Sequence, residues 1–566
     1  MRNELKFGLV TSVFVSLVSA GGCGKGSSSS ESSLPSWWEG DPLVPYAWHL
    51  GNTGQSSFAR NGGVPGEDVK VAEAYALGYT GRGVKIAVAD SGLEITHEDI
   101  ADNVLVNQCR DYRLPYPFGT DPTSTELRGD HGTSVAGLIA AVGWNGKGSR
   151  GIAPNAKVAG LNFLANSSDE AMIDQLLGDF DIFNQSYGIK QGQQGDKTTP
   201  RFYTPINVPY LVQIRYGVNR LRDGKGAIYV RAMGNAYFDD FRGPNDDWVS
   251  RPGNADGYVA LPYHIMVGAM NAHGVKSSYS TTGANIWISA LGGEYGIDHP
   301  AMITIDQSSC DIGYSRIGEK KNPFEGGHEL NPDCNYTSTF NGTSSATPVV
   351  SGIIALMLEA NPDLTWRDVK HILAVTADQV DPNFAPLTHP LDPPGHINEP
   401  GWITNAAGFK FHNWYGFGRV NAEAAVKMAK EYKSNWKTWE EFSALKELST
   451  PLDIPNFDAD GVEDTLVITN DIKIEAVQLV VSIDHEFTGD LGIELTSPSG
   501  TKSVVLNTNN SFNQPNLEGA IMLTNAFYGE LSAGPWKIKV IDGGNLYTNE
   551  GQLKNWGLII YGRKLL

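Results

Sequence analysis

Three short segments of the chain contain residue types that together could perform nucleophilic catalysis. Asp90 follows the apolar run from Val84 to Ala89, and His131 stands immediately before a helix of small residues. Ser344 opens an apolar helix, whose positive dipole end favours a nucleophile. Histidine is suited to accept and return a proton near neutral pH. The three residues therefore predict a serine nucleophile, a histidine base and an aspartate that orients the base.

Each of these segments has a simpler interpretation when it is taken alone. A buried aspartate or a lone histidine is often structural, and Thr343, Ser344 and Ser345 can each cap a helix. Together, however, the segments read DSG, HGTSVAG and GTSSATP, in the chain order Asp, His, Ser. They resemble the motifs of the subtilases, a family of serine proteases. A lipase-type hydrolase is excluded, because Ala346 stands where the GxSxG motif requires its second glycine.

The resemblance to subtilases implies further residues around these three. Asn235, which follows Gly234 and the apolar run 227–232, is implied as the amide that stabilises the oxyanion. The family also has an extended segment that pairs with the substrate backbone by β-augmentation. The residues that resemble this segment are Ser186, Tyr187 and Gly188. The fold implied is α/β, with a mostly parallel sheet and helices on both faces.

The spacing of apolar residues also indicates this organisation. Between residues 80 and 373, short apolar runs alternate with helical patterns. The predicted strands are 84–89, 157–163, 182–185, 227–232 and 265–269. From about Asp464 the pattern changes to strict alternation, as in the residues from Val477 to Ile483. This predicts an all-β jelly-roll or sandwich domain after the α/β domain.

Among subtilases, the chain resembles the kexin branch most. The likeness begins at Asp41 and continues into the second domain with GDL at 489–491, SPSGT at 497–501 and GQLKNW at 551–556. These segments are similar to the P domain of kexin-like proteases. The expected organisation is a signal peptide at 1–22, a Ser/Gly-rich tether at 23–40, a subtilisin-like catalytic domain at 41–432, a connector at 433–463 and a P domain at 464–566.

The kexin resemblance implies that the residue before the cleaved bond is basic. Asp256, followed by Gly257 and Tyr258, resembles the pocket aspartate of that branch, and such a carboxylate pairs with arginine or lysine. The alternative is that Asp256 is one more loop acid. Ser91 and Gln191 stand where kexins have further acids. We therefore expect paired basic residues to be recognised less strictly.

A structural calcium site is a further implication of the resemblance. Its oxygen ligands map onto the side chains of Asp41, Asp99 and Asn145 and onto the backbone of Val142, Lys147 and Ser149. The alternative is that Asp99 caps a helix and that Asn145 belongs to a turn. The second calcium site of the family is expected to be lost, because Thr281 and Gln191 stand in place of its carboxylates.

The composition limits the other classes of function. The 566-residue chain has 41% hydrophobic and 19% charged residues and a formal net charge of −20, which fits a globular protein of two domains. The negative charge disfavours nucleic acid as a partner, because phosphates would be repelled. A second hypothesis is a catalytically inactive surface protein that only binds. The intact set of Asp90, His131 and Ser344 argues against it.

The N-terminal residues predict export. Arg2 and Lys6 precede an apolar run from Phe7 to Val18, which is typical of a signal peptide. The small residues before Cys23 resemble a lipobox, so we expect a lipid at Cys23 and a location in the cell envelope. Ordinary cleavage and secretion is the alternative. Contact with a membrane is expected only through this lipid.

The remaining cysteines and the short N-terminal region raise two further expectations. A disulfide between Cys310 and Cys334 could close the polar segment that they flank, whereas the state of Cys109 stays open. The prodomain that assists folding in the family has no room between Cys23 and Asp41. A separate folding chaperone or inhibitor, or unassisted folding, has to replace it. The other expected partners are peptide and protein substrates, and the chain is expected to be a monomer.

Overall fold

Two regions follow each other in the computed structural model, which describes residues 38–128, 131–188, 202–237, 251–318, 321–436, 438–545 and 551–565. The helices are α1 Val71–Ala76, α2 His131–Ala140, α3 Asp169–Asp174, α4 Val208–Arg220, α5 Thr343–Ala360, α6 Trp366–Thr376 and α7 Ala422–Glu431. The strands of the first region are β1 Lys85–Ala89, β2 Lys157–Leu161, β3 Ile182–Gln185, β4 Ile228–Ala232, β5 His264–Met270, β6 Ile288–Leu291, β7 Met302–Ile305, β8 Tyr336–Phe340, β9 Ile403–Thr404 and β10 Lys410–Phe411.

The first region is built on a six-stranded sheet with the order β2-β1-β3-β4-β5-β6. All of its strand pairs are parallel. The prediction of an α/β fold is therefore confirmed, and the five predicted strands coincide with β1 to β5. Because the carboxyl ends of parallel strands meet at one edge, this sheet brings the residues after β1, β3 and β4 together.

Helices cover both faces of this sheet. On one face, the Tyr229 hydroxyl of β4 donates to the Leu176 carbonyl at 2.8 Å and lies against Gly217 of α4. On the other face, Asn184 of β3 accepts a hydrogen bond from Ser351 of α5 at 2.8 Å. Helix α5 is long and apolar enough to cross a membrane, but 89% of it is buried within the protein. It is the central helix of the core.

The second region is a sandwich of two antiparallel sheets. Its strands are β11 Trp439–Ile454, β12 Val462–Ile468, β13 Ile472–Asp484, β14 Leu491–Thr496, β15 Lys502–Leu506, β16 Leu517–Thr524, β17 Gly534–Asp542 and β18 Gly551–Lys564. The two strand orders are β11-β18-β13-β16 and β12-β17-β14-β15. Buried side chains such as Leu479, Leu495, Trp536 and Leu558 fill the space between the sheets. The predicted all-β sandwich is confirmed.

The predicted connector at 433–463 requires a correction. Most of it forms the long edge strand β11, which pairs with β18 from Trp439 opposite Arg563 to Ile454 opposite Gly551. Phe442 and Ala444 of this strand pack against the core of the sandwich. The exposed residues that alternate with them are mostly polar, as is usual for an edge strand, although Leu445 is exposed as well. The strand therefore belongs to the sandwich and is not a linker.

The two regions share a buried interface. Arg367 of α6 donates from Nε to Glu475 of β13 at 2.9 Å, and both side chains are more than nine-tenths buried. The Asn254 amide donates to the carbonyls of Val505 and Leu523 at 3.2 and 3.0 Å. Breaking a buried ion pair leaves an uncompensated charge, so these contacts fix the sandwich against the α/β region.

Candidate active site

Asp90 and His131 are hydrogen-bonded to each other. His131 Nδ1 lies 2.8 Å from Asp90 Oδ1, which also accepts the Ser91 backbone N–H at 2.7 Å. The Asp90 side chain is fully buried, whereas 28% of the His131 side chain is exposed. A carboxylate on Nδ1 selects the tautomer that keeps its proton there and leaves Nε2 free to accept one. The imidazole is therefore oriented as a base.

Gly132 allows this close approach. A Cβ atom at this position would lie 2.0 Å from the Gly92 carbonyl oxygen and 3.0 Å from the Asp90 Cβ. The Gly132 N–H also donates to the Ser91 hydroxyl at 3.0 Å. The start of α2 is thus held directly against the end of β1, so that any larger residue would separate the histidine from its aspartate.

Ser344 is the second residue of α5 and lies beside the segment that follows β3. Its hydroxyl donates to the Ser186 carbonyl at 3.2 Å, while the Ser186 hydroxyl donates to the Ser344 carbonyl at 3.0 Å. Four residues earlier, the Phe340 ring packs edge-on against the His131 imidazole with ring centroids 5.3 Å apart. These contacts bring the serine segment to the histidine and to the expected substrate-binding segment.

Asn235 is oriented by the residue before the serine. Its Oδ1 accepts the backbone N–H of Thr343 at 2.8 Å and the Thr343 hydroxyl at 2.9 Å. Because Oδ1 is held by Thr343, Nδ2 at the opposite end of the planar amide points away from Thr343. Gly342 has a φ of 105°, and a Cβ atom at this position would lie only 3.0 Å from Asn235 Nδ2. Nδ2 and the Ser344 N–H of the first turn of α5 are thus suited to bind an oxyanion.

The segment Ser186 to Gly188 directly follows β3. The Tyr187 hydroxyl donates to Gln175 at 2.7 Å, and the Arg231 guanidinium lies 4.9 Å from the Tyr187 ring centre. A Cβ atom added to Gly188 would meet nothing within 4 Å among the described residues. The segment is therefore anchored at Tyr187. The neighbouring Gly234, at φ 107°, donates its N–H to the Thr343 hydroxyl at 3.0 Å.

Asp256 is buried, with 2% of its surface exposed. Its Oδ1 accepts the backbone N–H groups of Tyr258 and Val259 at 3.0 and 3.1 Å. Its Oδ2 lies 3.4 Å from Arg251 Nη2. Two arginines near this carboxylate, Arg251 and Arg231, were not expected from the sequence. An arginine inside the apolar run 227–232 was the one available signal.

The residues expected to bind calcium meet around the loop after α2. Asn145 connects the two acids, because its backbone N–H donates to Asp41 Oδ1 at 2.9 Å and its side chain donates to Asp99 Oδ1 at 2.7 Å. Asp41 also forms a fully buried ion pair with Arg150 at 2.7 Å. The Val142 N–H donates to the Asp99 carbonyl at 2.8 Å. Lys147 and Ser149 lie on the same loop.

Asp99 is the acid of this group that lacks compensation. Its Oδ2 and the Ser149 hydroxyl are buried and have no hydrogen-bond partner among the described residues. Burial raises the pKa of Asp99 to about 8. Within the described ranges, no three Asp, Glu, His or Cys side chains are grouped as a metal site. A cation here would therefore take most of its ligands from amide and backbone oxygens, which suits calcium.

The cysteines fall into three classes. Cys310 and Cys334 form a disulfide with their Cα atoms 4.9 Å apart. Cys109 is a buried free thiol, and burial raises its pKa to about 11. A thiol with a raised pKa is unreactive at neutral pH. Cys23, the predicted lipid attachment site, and the predicted signal peptide lie outside the described residues.

Comparison with known protein families agrees with this arrangement. Residues 81–418 match the Subtilase family, and residues 474–560 match the Proprotein convertase P-domain. The Aeromonas extracellular serine protease of Aeromonas sobria is 36% identical over 92% of this chain and 86% of its own length. Neuroendocrine convertase 2 of Mus musculus is 31% identical over 92% of this chain and 74% of its own length.

Solved structures show the same likeness over both regions. The crystal structure of the serine protease of Aeromonas sobria has a TM-score of 0.84 and 33% sequence identity, and the match covers 95% of this chain and 97% of that one. The complex of that protease with the chaperone ORF2 gives a TM-score of 0.82 at 31% identity, covering 95% of this chain and 98% of that one. The chain therefore belongs to the subtilase family of serine proteases and has a C-terminal P domain.

Proposed function

We propose that the protein is an endopeptidase in which Ser344 is the nucleophile, His131 the general base and Asp90 the residue that orients the base. The observation on which this depends is the 2.8 Å bond between His131 Nδ1 and the buried Asp90, together with Ser344 in the first turn of α5. The experiment that tests it is peptide hydrolysis by Ser344→Ala, argued in full in the Discussion.

In the proposed reaction, His131 Nε2 takes the Ser344 hydroxyl proton as Oγ attacks the carbonyl carbon of the scissile peptide bond. The Asn235 amide and the Ser344 N–H bind the oxyanion of the tetrahedral intermediate. His131 then protonates the leaving amine, and the C–N bond breaks to give an acyl-enzyme. Water, deprotonated by His131, releases the second product and restores the serine. The segment Ser186 to Gly188 aligns the substrate backbone by strand pairing.

The proposed specificity is for arginine or lysine before the cleaved bond. Asp256 supports it, because this buried carboxylate is fixed by two backbone N–H groups and interacts electrostatically with Arg231, whose guanidinium packs on the Tyr187 ring of the proposed substrate segment. A buried carboxylate gains most from a cationic partner.

Asp256→Asn is expected to lower kcat/KM for a peptide with arginine before the bond by about 10-fold to 100-fold relative to the same peptide with leucine, the range for a lost charge-assisted hydrogen bond. The ratio of the two specificity constants is the quantity to measure. Asp298→Asn, which removes a surface carboxylate paired with Arg60, is the matched control and should leave the ratio unchanged. An unchanged ratio in Asp256→Asn would contradict the proposed basic specificity through Asp256.

We also propose that calcium binds between Asp99, Asp41, Asn145 and the backbone of Val142, Lys147 and Ser149. The support is chemical, because the buried Asp99 Oδ2 and Ser149 hydroxyl lack partners among the described residues. A bound calcium ion would supply positive charge to Asp99 and tie the loop after α2 to the N-terminal segment. Since α2 begins with His131, the site would stabilise the catalytic helix without contacting the substrate.

Removing calcium with EGTA is expected to lower the thermal unfolding midpoint. A ligand that binds only the folded state, at about 100 times its Kd, adds about 2.7 kcal/mol to stability. Asp99→Asn should lower the midpoint in calcium and should no longer respond to EGTA. Asp306→Asn is a matched control, because burial raises the pKa of Asp306 to about 8 as well, and this variant should keep the response. Equal midpoints of the native chain with and without EGTA would exclude the site.

For location and partners, we propose export and a separate folding chaperone. The name of the Aeromonas sobria relative describes it as extracellular, and that protease has been crystallised with a chaperone. The predicted signal peptide supports the same conclusion. Lipid attachment at Cys23 stays a prediction that mass spectrometry of the mature N-terminus would decide.

A further inference from the structure

Asp256 interacts with arginines of the protein itself before any basic substrate side chain binds. Arg251 Nη2 lies 3.4 Å from Asp256 Oδ2, and the exposed fractions of the two side chains are 18% and 3%. A second guanidinium, that of the buried Arg231, interacts electrostatically with Asp256. One negative charge therefore stands near two positive charges. This differs from a pocket in which the carboxylate has no partner before substrate arrives.

The two arginines near Asp256 differ in their burial and in the contacts that hold them. Arg231 lies within β4, where Nη1 donates to Gln185 at 3.2 Å and the guanidinium packs on the Tyr187 ring. Displacing it would leave a buried cation without compensation. Arg251 lies outside the strands and helices, is attached to Ala236 through its backbone N–H at 3.2 Å, and has a partly exposed side chain. The Arg251 side chain is therefore the more exposed of the two.

We propose that Arg251 is a specificity-determining residue that competes with the basic side chain of the substrate for Asp256. The inference rests on the proposed function, since it assumes that Asp256 is in the substrate pocket. A substrate arginine or lysine has to displace Arg251 from the carboxylate, and part of its binding free energy is lost in doing so. An uncharged side chain gains nothing from Asp256 in either case. The competition therefore reduces the discrimination between basic and uncharged residues.

The test compares two peptides that differ only in arginine or leucine before the cleaved bond. In Arg251→Gln, the ratio of kcat/KM for arginine over leucine is expected to rise roughly fivefold to tenfold, as for loss of a partly exposed ion pair. Arg251→Lys keeps the cation and should stay near the native ratio. In the Asp256→Asn background, Arg251→Gln should have no further effect, which completes a double-mutant cycle. The inhibition constant of benzamidine, a cationic probe, should fall in Arg251→Gln by a similar factor.

The outcomes separate the two claims. If Asp256→Asn lowers the ratio and Arg251→Gln does not raise it, competition by Arg251 is excluded while the basic pocket stands. If Asp256→Asn leaves the ratio unchanged, the proposed basic specificity fails first. Equal changes for both peptides would mean that Arg251 only supports the loop. Should Arg251→Gln not fold, Arg251→Met, which keeps the apolar stem, answers the same question.

Discussion

Ser344→Ala is expected to reduce kcat for peptide hydrolysis by about 10⁶-fold, because members of a catalytic triad act as a unit. The fold should be unaffected for a specific reason. The bond from the Ser186 hydroxyl to residue 344 ends on a backbone carbonyl, so it survives the substitution. Only the weaker bond from the serine hydroxyl to the Ser186 carbonyl, at 3.2 Å, is lost. The measurement is burst and steady-state hydrolysis of a fluorogenic peptide, with circular dichroism as the check on folding.

The neighbouring Ser345 provides the matched control. It lies in the same turn of α5 and is fully buried, and its hydroxyl donates to the carbonyls of Gly292 and Gly342 at 3.0 and 2.8 Å. Ser345→Ala should therefore lose stability but retain most of its turnover. His131→Ala should resemble Ser344→Ala, and the double variant should be no worse than either single one. Near-native hydrolysis by Ser344→Ala, or a loss of the same size in Ser345→Ala, would contradict the assignment of the nucleophile.

Asp90→Asn should cost about 10⁴-fold, because an amide in place of the carboxylate favours the wrong tautomer of His131. The geometry explains why a neutral substitute cannot compensate. Asp90 Oδ1 accepts two N–H groups at once, from His131 and Ser91, and an amide nitrogen in that position would face two donors. If the amide introduced at position 90 instead rotates so that its oxygen accepts these two N–H groups, its NH₂ group takes the place of Asp90 Oδ2. Oδ2 is buried and has no hydrogen-bond partner among the described residues, so the NH₂ group would be buried there.

The residues of the proposed active site were predicted from the resemblance of their motifs to those of the subtilases, and the elements beside them could be predicted from strong local patterns. Asp90 and Asn235 end buried parallel strands of apolar residues, and Ser344 begins a long apolar helix. Parallel strands meet at one edge, so residues far apart in the chain come together without any long-range information beyond the strand assignments. The positions of β1 to β5 were therefore predictable to within a few residues.

Features that depend on distant pairing could not be predicted in this way. Strand β11 has mostly polar residues on its exposed face, and it becomes a strand only because β18, which is far from it in the chain, pairs with it on both sides of an irregularity between Glu447 and Leu452. The approach of Arg251 to Asp256 is likewise a tertiary contact between loop residues. An arginine in a loop belongs to no periodic pattern, so the residue that it contacts cannot be predicted from the sequence. Both cases concern contacts that local propensity does not encode.

Asn235→Ala is expected to reduce kcat by about 100-fold to 1,000-fold while KM changes little, as is typical for the loss of one oxyanion donor. The reason is that the amide meets a developing negative charge, which exists in the transition state and not in the bound substrate. Its loss should thus appear in the chemical step. Single-turnover measurements of acylation with a peptide ester, together with KM under steady state, separate the two effects.

Thr343→Val separates the role of the Asn235 amide as oxyanion donor from the role of the Thr343 hydroxyl that orients it. Valine removes the hydroxyl that donates to Asn235 Oδ1 at 2.9 Å but keeps the backbone N–H that donates to the same oxygen at 2.8 Å. The amide is then held by one bond instead of two, so the loss in kcat should be clearly smaller than that of Asn235→Ala. In the Asn235→Ala background the Thr343 hydroxyl has no amide left to orient, so adding Thr343→Val should reduce kcat little further. Full additivity of the two losses would show that Thr343 does not act through the Asn235 amide. An effect of Asn235→Ala confined to KM would show that Asn235 binds the substrate and does not stabilise the oxyanion.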